Sequence, residues 1–293
     1  MRRWLTLCVM LLLTMALGFP ATVRAGGHVS TILTLEPASA TYGDGVDAVA
    51  VLRDADTDAG IPGKVVNFLV AGQFRSVFTD ADGRAAVRGL NPGRLAAGTY
   101  PNGVQARFDG RTGYDPSSGA ADLTVGRRPL RVIPQSLSRE YGDPNPQELP
   151  YRIENFAYGE SAGVLAALPA CTTDATQASP RGTYAIRCAG LEAANYEAEY
   201  ATGTLTVTPV PMLVRADDQT RPYRGENPTF TATYVGAWKL DEGPGVLTGQ
   251  LKCTAPAGKQ TWAAPGRYEI FCAGQTAENY ALKYIPGTLT IVK

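Results

Sequence analysis

One passage occurs twice in this chain. PLRVIPQSLSREYGDPNP, starting at Pro129, lies over PMLVRADDQTRPYRGENP, starting at Pro211, so that Tyr141 meets Tyr223, Asn145 meets Asn227 and Pro146 meets Pro228, all at an offset of 82. The offset holds at Phe156 over Trp238 and at Cys171 over Cys253, then becomes 84 after a two-residue insertion in the second copy. Beyond it GTYAIRCAG (182–190) matches GRYEIFCAG (266–274), Asn195 and Tyr196 match Asn279 and Tyr280, and GTLTV from Gly203 matches GTLTI from Gly287. Landmarks that keep order and spacing mean one structural unit built twice.

The preceding stretch echoes the same landmarks more distantly. YGD occurs at Tyr42 to Asp44, GTY at Gly98 to Tyr100 and LTV at Leu123 to Val125. The reading is three tandem domains, 26–127, 128–209 and 210–293, with almost no linker. The junctions fall near Arg127 to Pro129 and Pro209 to Pro211, where proline cannot donate to a ladder and stiffens the connection.

Local patterning predicts strands. Tyr184, Ile186 and Cys188 alternate with Ala185 and Arg187, and Tyr268, Ile270 and Cys272 repeat the pattern. Val66, Phe68 and Val70 alternate with Asn67 and Leu69, and Val104, Ala106 and Phe108 with Gln105 and Arg107. Turn signals punctuate these runs: DADTDAG from Asp54, DADG from Asp80, NPG from Asn91 and GDPNP from Gly142. Thirty-two glycines and 21 prolines suit such a chain. No window sustains a 3.6-residue period, so the fold class is all-β: three immunoglobulin-like β-sandwiches. A compact mixed β-grasp-like fold is the alternative for the two C-terminal copies.

Residues 1–25 read as a signal peptide and are set aside from the fold. Arg2 and Arg3 precede an apolar run from Leu5 to Leu17, too short to cross a hydrocarbon core of about 30 Å. Val23 and Ala25 form a small-residue cleavage site, and Cys8 lacks the small residues of a lipoprotein signal. The expectation is an exported chain, periplasmic, secreted or on the cell surface, with no membrane span after signal removal. The whole chain is formally neutral, and losing three arginines leaves the remainder acidic. No basic surface is offered to nucleic acid.

Export makes disulfides available. Four cysteines allow three connectivities. The repeat frame selects Cys171 with Cys188 and Cys253 with Cys272, because each pair keeps its place within one copy.

The sequence YGDPNP, then Phe156, GTY, NY and GTLTV, resembles the MBG-type repeat of bacterial surface and secreted proteins, an immunoglobulin-like unit, over residues 129–293 in two copies. The second copy departs at YRGENP, where Arg224 and Gly225 replace Gly and Asp. The cysteines are an addition to the pattern. Residues 26–127 resemble bacterial immunoglobulin-like domains more loosely, through IPGKVVNFLV, TDADGRA and the closing LTV. The resemblance implies a scaffold or adhesion-type unit with no catalytic centre and no cofactor, and carries over no active-site residue.

Candidate sites are few. A single histidine, His28, excludes most imidazole chemistry. Asp54, Asp56 and Asp58 are the oxygen donors calcium takes, but the loop lacks the closing glutamate of an EF-hand, and a solvated turn is the expectation. Glu140 with Asp143, and Asp241 with Glu242, are carboxylate pairs of the type a glycosidase needs, read instead as solvated loops. Trp238, recurring at the place of Phe156, is expected in the core. Trp262 has no counterpart, lies beside the insertion in KQTWAAPG and is the one candidate for ligand contact. The expected function is a non-catalytic exported structural or adhesion-type protein; the alternative is a glycan- or protein-binding module, the partner being a glycan or another surface protein.

Overall fold

The computed structural model describes residues 27–111, 113–257 and 260–293. The expected signal peptide, 1–25, lies outside the described residues. The described residues divide into two compact units: one contains 27–38, Val46–Leu90 and Tyr100–Leu123, the other Ser39–Gly45, Asn91–Thr99 and Thr124–Lys293.

The N-terminal strands are β1 (Thr31–Leu35), β2 (Ala38–Thr41), β3 (Val46–Asp54), β4 (Val65–Val70), β5 (Gln73–Phe78), β6 (Arg84–Leu90), β7 (Gly98–Phe108) and β8 (Ser117–Gly126). They form a three-stranded sheet, β1-β3-β6, and a five-stranded sheet, β2-β8-β7-β4-β5. The alternation predicted for β4 and β7 places Val66, Phe68, Val70, Val104, Ala106 and Phe108 inside. Antiparallel pairing sets Phe68 opposite Ala106 and Val70 opposite Val104, so both strands bury one face together.

The first repeat comprises β9 (Arg128–Pro134), β10 (Leu137–Glu140), β11 (Tyr151–Glu154), β12 (Ala170–Thr173), β13 (Gly182–Ala189), β14 (Tyr196–Tyr200) and β15 (Gly203–Thr208). The second comprises β16 (Val210–Ala216), β17 (Gln219–Pro222), β18 (Ala232–Val235), β19 (Thr248–Thr254), β20 (Gly266–Thr276), β21 (Tyr280–Ile285) and β22 (Gly287–Val292). Sheets β10-β15-β13-β12 and β11-β9-β14 of the first copy recur as β17-β22-β20-β19 and β18-β16-β21 in the second. Each copy is a four-on-three sandwich, the strand division of immunoglobulin domains. It differs in pairing, since β10 with β15, β9 with β14, β17 with β22 and β16 with β21 run parallel. The helical turns, Ala162–Val164 and Pro244–Val246, are three-residue 3-10 turns, which decides for the sandwich over the β-grasp alternative.

Both sheets of a copy supply its core. In the second, Ala216 from β16 packs with Ile270 and Cys272 from β20 and Leu289 and Ile291 from β22. Fully burying one such aliphatic side chain stabilises by about 1.5–3 kcal/mol. Each copy also buries one arginine, Arg139 or its equivalent Arg221. Arg139 donates through Nε to the Asn145 side chain and through Nη1 to the Glu140 carbonyl. Arg221 repeats this with Asn227 and Pro222, and donates through Nη2 to the Gln260 carbonyl. A guanidinium with five donors satisfies several loop carbonyls at once, which fixes the NP turn without a β ladder.

Candidate interaction surface

The side chains that carry polar chemistry in the second unit meet at two equivalent junctions. At the first, a turn at Tyr42, Gly43 and Asp44 meets the loop after β11. The Tyr42 hydroxyl donates to Glu160 Oε1 at 3.0 Å, and the Tyr196 hydroxyl donates to Oε2 of the same carboxylate. At the second, between the repeats, the Tyr141 hydroxyl donates to Glu242 Oε1 at 2.8 Å and Tyr280 to Oε2 at 2.6 Å. One glutamate thus clasps two tyrosines each time. The rings meet edge to face, Tyr42 on Tyr196 at 5.4 Å and Tyr141 on Tyr280 at 6.1 Å.

Glycine is required at the seat of each clasp. Gly43 and Gly142 take φ of +91° and +78°, and a Cβ on either would stand 2.4 Å from the Cβ of Ala157 or Lys239. The chain beyond the seat is then tied by backbone donors: Ala157 N–H donates to the Tyr196 hydroxyl at 3.1 Å, Lys239 N–H to that of Tyr280 at 2.9 Å. The asparagine before each of these tyrosines closes the far side. Asn195 accepts from the Ala97 N–H and Asn279 from the Arg181 N–H, each at 2.9 Å. An acid completes each seat, Asp44 to Arg128 at 2.7 Å and Asp143 to Lys239 at 2.6 Å.

Burial shapes the electrostatics. Desolvation and then the hydrogen bond to Glu160 push the Tyr196 phenol up to about 12, and the same causes with Glu242 push Tyr280 up to about 12. Tyr42 and Tyr141 are raised for the same reasons. The hydrogen bond from Lys239 to Asp143 raises the Lys239 ammonium. A neutral phenol donating to a carboxylate is the protonation state the clasp needs.

These contacts correct one expectation and refine another. Asp143 and Glu242 are not acids of solvated loops but the anions that join the repeats, while Asp241 is exposed. Trp238 packs, as expected, against a hydrophobic core, but one shared between the copies. It is half-buried and packs at 5.0 Å on Tyr280, in a cluster of Tyr141, Val207, Val210 and Met212 drawn from both copies. Phe156 sits likewise on Tyr196 at 5.5 Å. A bulky ring recurs because the junction recurs.

The remaining candidates fall elsewhere. Cys171 is bonded to Cys188 and Cys253 to Cys272, each pair directly opposed on neighbouring strands. Trp262 is 67% exposed. The Asp54 carboxylate accepts from the N–H groups of Asp56 and Thr57, closing its own turn, and Asp58 pairs with Arg53 at 3.4 Å. Among the described residues no group of three His, Cys, Asp or Glu side chains is placed to hold a metal ion, and no helix is long and apolar enough to cross a membrane. In the first unit the outward side of β4 and β5 carries cross-strand apolar pairs, Leu69 with Phe74 and Val65 with Phe78, beside a groove of about 670 Å³. The repeat alignment already held the signal for Glu160 and Glu242, which match at the same offset as Tyr141 and Tyr223.

A family model described as MBG domain (YGX type) matches residues 130–206 and 212–290. No curated protein sequence matches the chain at a significant level. Among solved structures, the bacterial integrin-binding protein invasin aligns at 11% identity and a TM-score of 0.38, covering 86% of this chain and 60% of its own. A titin fragment aligns at 11% identity and 0.36, covering 90% and 99%. The Escherichia coli adhesin FdeC aligns at 15% identity and 0.23, covering 94% and 100%. The chain thus spans about 60% of the length of invasin's solved chain.

Proposed function

The chain belongs to the family of MBG domains of the YGX type, and from that premise we propose that it is a non-catalytic, exported protein of structural or adhesion type. Its working parts are three domains, 26–127, 128–209 and 210–293, that hold loops in place for contact with a partner at or beyond the cell surface. The observation that carries this reading is the clasp made twice, Tyr42–Glu160–Tyr196 and Tyr141–Glu242–Tyr280. Half-buried carboxylates here are committed to fastening segments within the second unit, whereas a glycosidase holds its acids on either side of a substrate cleft. The disulfides within each copy fit an oxidising compartment.

Protease treatment of intact producing cells, with mass mapping of the released peptides, tests the reading. Peptides from 27–293 carrying both oxidised cysteine pairs are expected. Peptides released only after lysis, with free thiols, would end it. A second reading, a glycan- or protein-binding module, is favoured by the exposure of Trp262. Unchanged affinity of Trp262→Ala for a ligand so found would reject that residue.

A further inference from the structure

The seat that is filled at Tyr42 and at Tyr141 occurs a third time, at Tyr223, with its residues changed. The turn itself is kept. Tyr223 N–H donates to the Val292 carbonyl as Tyr42 does to Gly126 and Tyr141 to Thr208. Gly225 N–H donates to the Pro222 carbonyl as Asp143 does to Glu140 and Asp44 to Thr41. Tyr42 and Tyr141 are 3% and 5% exposed beneath what covers them; Tyr223 is 39% exposed.

Three substitutions close this seat to a repeat docked as the others are. Arg224 stands where Gly43 and Gly142 stand, at φ +64°, in the left-handed region that disfavours a side chain. Any Cβ at that place projects to within 2.4 Å of the incoming chain at the filled seats. Gly225 replaces Asp44 and Asp143, so the acid that captures Arg128 or Lys239 is missing. Pro265 replaces Ala97 and Arg181, removing the N–H that Asn195 and Asn279 accept.

What stands there instead is another recognition surface. The Arg224 guanidinium lies over the Tyr223 ring at 5.5 Å, and the Arg224 N–H donates to the Thr261 carbonyl, which brings the loop carrying exposed Trp262 to the same turn. Tyrosine, arginine and tryptophan are the side chains that dominate protein interfaces. Both counterparts of Tyr223 donate to a carboxylate that follows an aromatic residue by four positions, Glu160 after Phe156 and Glu242 after Trp238. Gly225 takes away the seat's acid and Arg224, one position earlier, brings a cation, so the basic group taken at the filled seats is no longer asked of the partner and an acidic one is favoured.

We propose that Tyr223, Arg224 and Trp262 form a docking surface for an acidic, aromatic-bearing protein segment, and that this surface does not accept a further repeat of the chain's own kind. The proposal rests on the partner-binding reading above, but its failure would leave surface display by protease release untouched. The test is selection from a phage-displayed random peptide library on the immobilised, oxidised chain 27–293, with binding of selected peptides followed by tryptophan fluorescence. Selected peptides are expected to combine Asp or Glu with an aromatic residue. Their affinity should fall about tenfold or more in Arg224→Glu and several-fold in Tyr223→Phe, and rise in Glu226→Gln, which removes the turn's own acid. Unchanged circular dichroism and urea midpoint establish that each variant is folded. A selection without acidic enrichment, no selected peptides, or binding indifferent to Arg224→Glu would overturn the proposal. So would self-association of the chain that Arg224→Glu abolishes, which would make a second copy the occupant.

Discussion

The hydroxyl of Tyr141 lies 2.8 Å from a carboxylate oxygen of Glu242, 101 positions further along the chain and in the other repeat. Tyr280 donates to the remaining oxygen, so one anion orders both sides of the boundary.

Removing that anion leaves two buried phenols without their acceptor. Glu242→Ala is expected to cost about 2–4 kcal/mol, and Glu242→Gln, which retains one acceptor oxygen, less than half as much. Urea unfolding of the two variants beside the parent chain measures the difference, and equal losses would mean that the carboxylate is not what holds the tyrosines.

The seat glycine is distinguishable from a glycine that only turns the chain. Gly142 and Gly159 both have positive φ, +78° and +68°, but an added Cβ meets Lys239 at the first and nothing within 4 Å at the second. Gly159→Ala should cost about 1–2 kcal/mol of backbone strain. Gly142→Ala should cost about 1–3 kcal/mol more, through the clash with Lys239. Denaturant midpoints of the pair decide, and equal midpoints would place no packing constraint on the seat.

Stability should decline in alkali, the phenols of the clasps contributing beside the raised ammonium of Lys239. Folded Tyr196 and Tyr280 keep their protons up to about 12, whereas unfolded phenols ionise near 10. Between those values the unfolded chain binds fewer protons, so the contribution is whole below about pH 10 and is lost as pH rises toward about 12. Phenolate absorbance in native and denatured protein, with urea unfolding at about pH 8 and about pH 11, tests the sign. A slope unchanged in Tyr196→Phe with Tyr280→Phe would assign the effect elsewhere.

Each disulfide should act within its own copy. Cys171 and Cys188 are 17 positions apart, Cys253 and Cys272 are 19, and loops of this size predict about 3 kcal/mol for each bridge on the chain-entropy account. Paired alanine replacements, one copy at a time, should give similar losses in calorimetric or urea unfolding. Peptide mapping that found a bridge between the copies would contradict the assignment directly.

Much of the fold was legible because its signals are local. Alternation in GTYAIRCAG and GRYEIFCAG marked β13 and β20, and the repeat frame paired the cysteines before any strand was placed. The parallel pairing of β10 with β15 was not legible, since alternation says which face a residue takes and nothing of which neighbour it meets. Nor was the role of Glu160 and Glu242. Each is an ordinary acid in a polar loop until a tyrosine from far along the chain lies against it. The burial of Arg139 and Arg221 was not legible either, and only the acceptors gathered around each make it tolerable.

The sequence by itself determined the duplicated unit, its strands and the partners of its cysteines, because repetition and two-residue periodicity are written along the chain. Tertiary structure alone decided that Trp238 and Phe156 pack at the junctions, Trp238 on a core shared by both copies, and that Tyr42, Tyr141 and Tyr223 are one seat used twice and altered once. The physical reason is that a clasp is made by groups about a hundred positions apart, whose hydrogen bonds exist only when folding has removed the water between them.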